Sequence, residues 1–304
     1  MSFPFAKYSK TYYIFSGLLV LASIFGLVRF GLKFGIDFTG GSLLEMNFES
    51  RPENSVIQEK LSKLNLGDIV IQPIGDKAVI LRTKAIDDNM HKEIITNLSE
   101  ISKVEEVRFE TIGPSIGKEL RQKALLLIGV SLLLTLIYIT VAFLKISRPL
   151  SSFQYGVISI VTLCFDILIP LGVFSVLGKF YNVQFTIPIV AALLTVLGYT
   201  MNDKIVVFDR VRENLMKNRG ENFYDLVNRS LNEILIRSIT TGSCTIFVLL
   251  SIFFFGGDTL KYFALALILG ILIGTYSSLF VASPLLVSWV GWKNRRLTKT
   301  LKVG

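Results

Sequence analysis

The sequence predicts an α-helical membrane protein with six transmembrane helices and a small α+β domain inserted between helices 1 and 2. Of its 304 residues, 51% are apolar, including 23 phenylalanines, which is more than one water-soluble core is expected to hold. Six near-continuous apolar stretches reach membrane-spanning length. One polar segment of about 90 residues interrupts them, and its apolar residues follow strand and helix periods.

The six spans follow from length and from the scarcity of charge within each stretch. A helix that crosses the hydrocarbon core needs roughly 20 apolar residues. Lys7 and Lys10 precede the first stretch as in a secretory signal, but no small-residue cleavage site follows, which favours an uncleaved anchor. Cys164 and Cys244 lie within spans, so no disulfide framework is predicted. The spans are 12–30, 124–144, 153–178, 183–207, 238–256 and 262–290.

The positive charge of the chain indicates its orientation in the membrane. The net charge of +9 would also suit a nucleic-acid partner. The basic residues, however, lie on alternate connections, and the opposite short connections hold only Lys179 and Lys261. By the positive-inside rule both termini are predicted to be cytoplasmic. The positive charge thus reflects orientation in the membrane, so we expect contact with membrane lipid and not with nucleic acid. The cytoplasmic basic residues are Lys7, Lys10, Lys145, Arg148, Arg210, Arg212, Lys217, Arg219, Arg229, Lys293, Arg295, Arg296, Lys299 and Lys302.

The polar segment predicts the order βαββαβ, which is that of a ferredoxin-like domain. SLLEMNFE (42–49) alternates as a strand does, DIVIQPI and AVILRT flank the hairpin signal Gly75-Asp76, and VEEVRFETI closes the domain as a strand. Apolar residues at helical spacing indicate two helices, with Val56, Ile57, Leu61 and Leu64 in the first and Met90, Ile94, Leu98 and Ile101 in the second. The predicted parts are a cytoplasmic N-terminus with helix 1 (1–30), an extracytoplasmic domain (31–122), helices 2 to 6 (123–292) and a basic cytoplasmic tail (293–304).

The sequence predicts no catalytic or cofactor site in this domain. Gly40-Gly41 in FGIDFTGGSLLE lacks the P-loop Lys-Ser/Thr pair and the Rossmann spacing, which favours a tight turn over a phosphate site. GPSIGKEL (113–120) has the composition of a second turn, where the chain re-enters the membrane. His91, the single histidine, lies on a polar helix face and is expected to be solvated. With no metal-ligand cluster and no paired nucleophile and base, we expect no metal, no cofactor and no hydrolytic active site.

Three ionisable residues within the spans are the candidate functional residues. A charge at mid-bilayer costs about 2.5 to 3.5 kcal/mol on insertion scales, so such residues usually face a bundle interior and mark an ion pathway. Asp166 lies about 13 residues, roughly 20 Å, into the third span. Asp203 lies near the cytoplasmic end of the fourth span and Arg237 at the cytoplasmic start of the fifth. Their similar depth is compatible with an ion pair between Asp203 and Arg237.

For the other charged residues near Asp203, a position at the membrane surface has to be weighed against one inside the bundle. Lys204 points about 100° away from Asp203, and we expect it to snorkel to the cytoplasmic surface. For Arg237, snorkelling and an interior position remain equally open. Just past the span, four charged residues are expected to form a solvated helix end, and they are Asp209, Arg210, Arg212 and Glu213.

Polar and small residues at helical spacing indicate which faces of the last three spans pack together. The sixth span has Gly270, Gly274, Ser278 and Ala282 at four-residue intervals, a pattern that lets helices approach closely. The fourth carries the stripe Thr195, Tyr199 and Asp203 with Ala191, Gly198 and Asn202 beside it, and the fifth carries Arg237, Thr241, Cys244 and Thr245. An interior Asp203 near a mobile Arg237 would bind or release a proton as the arginine moves, so the residues predict a proton-coupling group.

Several motifs resemble the SecF members of the SecD/SecF family of protein-export membrane proteins, within the resistance-nodulation-division superfamily. They are FGIDFTGGSLLE, GPSIGKEL, GYTMNDKIVVFDRVREN, RSITTGS at 237–243 and FGG at 255–257, and they occur in family order over nearly the whole chain. The resemblance implies six spans with a small outer domain, in the bacterial inner membrane. It also implies a heterodimer with SecD at the SecYEG channel, with SecA, YajC and YidC as further partners. Together SecD and SecF would use the proton-motive force to promote preprotein export after SecA starts it.

The resemblance also assigns residues and marks two departures. Asp203 matches the acid of the family's fourth-span motif, Arg237 the fifth-span arginine associated with proton passage, and Asp166 a third-span aspartate. Phe165 stands where the family often has histidine, and Lys204 where it commonly has a small polar residue. A relay through that imidazole is therefore absent.

Two other functions are compatible with the same pattern. One is half of a proton-driven exporter of small molecules or lipids, although an outer domain this small leaves little room for a binding pocket. The other is a passive scaffold that stabilises a translocation channel without moving protons.

Overall fold

The structure, a computed structural model, describes residues 4–67, 69–143, 151–218 and 220–300. Within these ranges six helical segments are long and apolar enough to cross a membrane, which confirms the predicted number. The end of the predicted second span at Leu144 lies outside the described residues, as do the expected cytoplasmic charges Lys145, Arg148, Arg219 and Lys302.

The helices are α1 (Ser9–Phe30), α2 (Ile36–Thr39), α3 (Asn54–Leu61), α4 (Asp88–Ser99), α5 (Pro114–Ala142), α6 (Ser152–Tyr181), α7 (Ile187–Lys217), α8 (Phe223–Phe255), α9 (Asp258–Ser277) and α10 (Ser283–Thr300). The strands are β1 (Gly41–Phe48), β2 (Val70–Ile74), β3 (Ala78–Thr83) and β4 (Val104–Ile112). A π-helical turn, Ser278–Ala282, joins α9 to α10. The chain forms two compact units: a sheet unit of Lys33–Leu126 with Gly178–Ile187, and a helical unit of the remaining residues.

The sheet unit has the predicted ferredoxin-like order. Its four strands are antiparallel in the order β2-β3-β1-β4, so β1 lies between β3 and β4 in the middle of the sheet. The alternation read in β1 places Leu44, Met46 and Phe48 in the core. Ile57 of α3 and Leu98 of α4 are fully buried against them. Burial of the same alternate residues therefore fixes both the strand register and the helix faces.

Two side chains of the sheet unit differ from expectation. Val56, predicted on the buried face of α3, is 41% exposed, because the buried face turns through Ile57 and Leu61 instead. His91 is not simply solvated: its ring stacks on Phe109 with centroids 4.0 Å apart, and its Nε2 lies 3.1 Å from a carboxylate oxygen of Glu106. The imidazole therefore packs against an aromatic ring of β4 instead of projecting into solvent.

The glycine turn before β1 is enforced by close backbone approach. Gly40 has φ 75°, and a Cβ there would lie 2.7 Å from Cα of Pro114, the first residue of α5. Gly41 has φ 135°, and a Cβ there would lie 2.6 Å from the carbonyl oxygen of Thr83. The turn therefore needs glycine for both conformation and space, as the sequence predicted. The second predicted turn, GPSIGKEL (113–120), is wrong, because α5 already begins at Pro114.

A segment between α6 and α7 joins the sheet unit. The backbone N–H of Gly35 donates to the carbonyl of Phe185 at 2.9 Å, and the N–H of Ile187 donates to the Asp37 carboxylate at 2.8 Å. Lys33 donates to the Asn182 side chain at 2.7 Å, and burial, followed by repulsion from Arg82 and Lys179, lowers the pKa of its ammonium. Residues 178–187, assigned from sequence to the membrane helices, thus pack within the sheet unit.

In the helical unit, α7 and α8 are longer than the predicted spans. α7 continues past 207 to Lys217, and α8 begins at Phe223 rather than at 238. Their added turns are held together by polar contacts, since Arg210 donates to Glu233 at 2.5 Å and Asn214 donates to Ser230 at 2.9 Å. Asp203 and Arg237 therefore lie well inside their helices rather than near an end.

The core of the sheet unit gives a matched test of burial on one helix. We expect Ile57→Ala to lower the free energy of unfolding of the sheet unit by about 2 to 5 kcal/mol, because it leaves a cavity in the core. We expect Val56→Ala, at an exposed neighbouring position, to change it by less than about 0.5 kcal/mol. Urea-dependent proteolysis of the full chain in membranes measures both values, and equal effects would contradict the assigned face of α3.

Candidate functional site

The candidate site is built on two faces of α7. Asp203 and Lys204 are consecutive, so their side chains leave the helix about 100° apart. Asp203 faces α8, where it accepts a hydrogen bond, and Lys204 faces α6, where it donates one. One helix thus holds two charged groups in two separate environments.

Lys204 forms a buried ion pair with Asp166. Its Nζ lies 2.5 Å from Oδ2 of Asp166, and both side chains are 0% exposed. The expectation that Lys204 snorkels to the surface is therefore wrong. Lys204 lies on the inward face of α7 among buried residues, and the helix continues for several turns beyond it. Its ammonium is held by the acid of α6 rather than by water.

Asp203 is half-buried and only partly satisfied. Its Oδ1 accepts a hydrogen bond of 2.8 Å from the Ser238 hydroxyl of α8. Its Oδ2 is buried and has no hydrogen-bond partner among the described residues. The nearby Ser278 hydroxyl, in the π-helical turn, donates to the carbonyl of Gly274 at 2.8 Å. Because that hydroxyl has a single proton and donates it to Gly274, Oδ2 of Asp203 is left without a donor among the described residues.

Asp203 and Arg237 line one small cavity without forming an ion pair. The cavity has a volume of about 50 Å³, which exceeds the space that one water molecule needs. The predicted ion pair is not formed: among the ion pairs of the described residues, none joins Asp203 or Arg237 to another charge. Arg237 is exposed at the edge of the cavity. The lining residues are Tyr199, Asn202, Asp203, Val206, Arg237, Ser238, Thr241 and Thr275.

The polar stripes predicted on α7 and α8 meet at this cavity. The Tyr199 hydroxyl donates to the carbonyl of Thr241 at 3.1 Å and lies 3.2 Å from the Thr245 hydroxyl. The structure differs from expectation along both stripes: Thr241 and Cys244 of α8 are exposed. Four residues of α7 that were predicted to be interior are also exposed. They are Ala191, Thr195, Gly198 and Asn202. This face of α7 is not covered by the described part of the chain.

The glycine face of α9 closes over the buried ion pair. A Cβ on Gly270 would overlap the side chain of Val196, and one on Gly274 would overlap Thr200 and lie 3.7 Å from Oδ2 of Asp166. Ser278 and Ala282, further along the same face, are buried. The four-residue repeat therefore marks a close helix contact, as predicted.

The C-terminal end of α7 makes more contacts than the predicted solvated helix end. Arg210 contacts both Glu213 on its own helix and Glu233 on α8. Asp209 does stay exposed, at 64% of its side chain, with Arg212 3.6 Å away. Arg210 therefore links two helices, a contact that the sequence did not reveal.

Sequence reasoning missed Ser238 and wrongly assigned Lys204 to the surface. A signal for each existed. Ser238 precedes Gly242 and Thr245 at helical spacing, which places it on the face already assigned to polar packing. Lys204 lies between Met201 and Val207 on a face that is otherwise apolar. Such a lysine needs a buried anion, and Asp166 was the available one.

Phe165, the other departure, is 7% exposed and its ring centroid lies 6.4 Å from that of Tyr276, so it packs as an apolar residue.

Comparison with known proteins places this arrangement in one family. A family model described as "Protein export membrane protein SecD/SecF, C-terminal" matches residues 91–292, from α4 to the sixth span. A second, "SecD/SecF GG Motif", matches residues 25–50, which include Gly40 and Gly41. The chain belongs to the SecD/SecF family.

Relatives named "Protein translocase subunit SecF" match nearly the whole chain. That of Thermobaculum terrenum is 38% identical over 298 residues, covering 93% of this chain and 92% of the relative. That of Desulfurispirillum indicum is 38% identical over 298 residues, covering 94% and 91%. In both cases the match covers more than nine tenths of this chain and of the relative.

Crystal structures of SecDF share the fold of this SecD/SecF family member. A Thermus SecDF, described as a translocon-associated membrane protein, has a TM-score of 0.85 at 33% identity, covering 95% of this chain and 39% of its own. A SecDF in the super-membrane-facing form has a TM-score of 0.71 at 33% identity, covering 100% and 40%. The chain therefore spans about two fifths of the SecDF chains that it matches.

The contact of α9 with α7 predicts opposite effects for two glycines. We expect Gly274→Ala to lower the stability of the purified chain by about 1 to 3 kcal/mol, because the added methyl overlaps Thr200 beside the ion pair. Gly198→Ala adds a methyl with no atom within 4 Å, so we expect no loss, and a slight gain from helix propensity. Thermal unfolding in detergent compares the two variants. Equal stability would mean that α9 does not pack through Gly274.

Proposed function

We propose that this chain is a subunit of the Sec protein translocase that works with SecD to promote preprotein export, driven by the proton-motive force after SecA has started it. The family membership supports the assignment, as do relatives named as SecF translocase subunits over nearly their full length. The SecDF chains that match are more than twice as long, which suits a partner that supplies the remainder. The chain acts without a hydrolytic site, and its work comes from ion movement.

The observation that carries the proposal is the half-satisfied Asp203 in a cavity that it shares with Arg237. Within the described part of the chain, Oδ2 of Asp203 has no donor and Arg237 forms no ion pair, so the carboxylate can take up a proton without breaking one. The cavity is large enough for water, which brings the proton to the free oxygen. The ionised form of Asp203 is stabilised when Arg237 approaches and loses that stabilisation when Arg237 withdraws. The pair therefore converts the position of a side chain into proton uptake or release.

Protonation of Asp203 would change side-chain contacts between three helical segments. Asp203 lies on α7 and is bonded to Ser238 of α8, and Ser278 of the π-helical turn lies beside it. A protonated carboxyl donates as well as accepts, so the hydrogen bonds at this junction must rearrange. π-helical turns often occur at functional sites, and this one lies within the sixth span beside Asp203. Asp166, the acid behind α7, belongs to the same proton-coupling site, because it binds Lys204, the residue next to Asp203.

The orientation completes the proposal. Both termini lie in the cytoplasm of the bacterial inner membrane and residues 31–122 lie outside, in accordance with the distribution of basic residues. The sheet unit then faces emerging preproteins, and SecYEG with SecA, YajC and YidC are the expected neighbours. The proton gradient is the only energy source that the subunit needs.

We expect neutralisation of Asp203 to abolish proton-dependent export. Asp203→Asn removes the proton-binding group, and Arg237→Gln removes the charge that controls it, so both should reduce export to the level of a strain without the subunit. Asp225→Asn, which neutralises an exposed acid in the first turn of α8, is the matched control and should leave export unchanged. Pulse-labelled precursor processing measures export, with membrane abundance checked for each variant. Normal export in Asp203→Asn at normal abundance would favour the passive scaffold.

A further inference from the structure

The ion pair behind α7 is sealed from both water and the cavity. Neither Asp166 nor Lys204 has any exposed side-chain surface, and neither lines the cavity of Asp203. Oδ1 of Asp166 is buried without a hydrogen-bond partner among the described residues, so Lys204 is the contact that neutralises this acid. Gly274 closes the α9 side of the pair. The pair thus has a different environment from Asp203, although the two sites are adjacent on one helix.

A sealed pair of this kind constrains the charge state of both members. Removing one partner leaves an uncompensated charge in an apolar interior, which is strongly unfavourable. A proton added to Asp166 would neutralise the acid but leave the Lys204 ammonium without an anion. A proton carrier must change its charge in every cycle. At Asp166 that change would leave the buried Lys204 ammonium without an anion.

We propose that Lys204 is a positioning residue that acts as a tethered counter-ion, keeping Asp166 permanently ionised so that Asp203 alone carries the proton. The proposal rests on the proposed function and assigns different roles to the two membrane acids. Asp203 exchanges protons through the cavity. Asp166 stays an anion and anchors the inner face of α7 to α6 through Lys204.

The anchoring determines where Asp203 points. Because consecutive residues differ by about 100° on a helix, fixing Lys204 on α6 directs Asp203 towards Ser238 on α8. The formal charges of Asp166, Lys204, Asp203 and Arg237 then sum to zero when Asp203 is ionised. Without Lys204, neutralisation of Asp166 would require a proton, and the bundle would contain a second proton site.

Infrared spectroscopy tests the charge state of Asp166 directly. The chain is labelled with ¹³C-aspartate at the side-chain carboxyl and studied in liposomes above about pH 5.5, where solvated aspartates are ionised. In Asp203→Asn we expect no C=O band from a protonated aspartic acid. In Asp203→Asn/Lys204→Met we expect such a band to appear, and in Asp203→Asn/Lys204→Arg we expect it to stay absent. A band already present with Lys204 intact would overturn the proposal.

Export assays supply the functional readout. Lys204→Met is expected to lose proton-dependent export, and Lys204→Arg to keep it. Replacing both members, as Lys204→Met/Asp166→Leu, is expected to restore export to within about twofold, because an apolar pair can replace a buried ion pair. Loss of export in the double variant at normal membrane abundance would show that Asp166 carries protons. The infrared result does not depend on export, so failure of the proposed function, seen as normal export in Asp203→Asn, stays distinguishable from failure of this inference.

Discussion

The buried ion pair between Asp166 and Lys204 is the interaction on which the arrangement of the membrane helices depends. Neither charge can exist alone in an apolar bundle, so α6 and α7 must meet at this depth and in this rotation. The glycine face of α9 follows from the same constraint, because only a residue without a side chain lets α9 approach Thr200 and cover the pair. The face of α7 that remains, with Asp203, is thereby turned towards α8.

The two membrane acids, Asp166 on α6 and Asp203 on α7, lie in contrasting environments. Asp166 is fully enclosed and bound to a fixed cation. Asp203 is half-buried, has one free oxygen, and shares its cavity with a cation that is not bound to it. A group that must titrate needs such an incompletely satisfied environment, since a complete ion pair would hold one charge state. Family membership assigns the chain to protein export, and under the proposed function Asp203 is the group that binds the proton.

The fold was largely predictable because its signals are local. Leu44, Met46 and Phe48 alternate within one strand, and Ile57 with Leu61 repeats within one helix, so period alone placed them in the core. The site was only partly predictable. Asp166, Asp203 and Arg237 stood out as charges within apolar stretches, but their partners come from other helices: Lys204 from α7, Ser238 from α8. The lengths of α7 and α8 also escaped prediction, because polar contacts such as Arg210 with Glu233 extend helices that hydropathy would end.

The sequence by itself determined the number of spans, the order of the ferredoxin-like domain, the glycine turn at Gly40 and the close-packing face of the sixth span. Each depends on the chemistry of neighbouring residues and on the strict periods of helix and strand. Only the tertiary structure decided which acid Lys204 neutralises, that Arg237 leaves Asp203 unpaired, and that residues 178–187 join the sheet unit. Those outcomes depend on helix rotation and on contacts between residues far apart in the chain, and a charge in a sequence does not specify which of several possible partners it will meet.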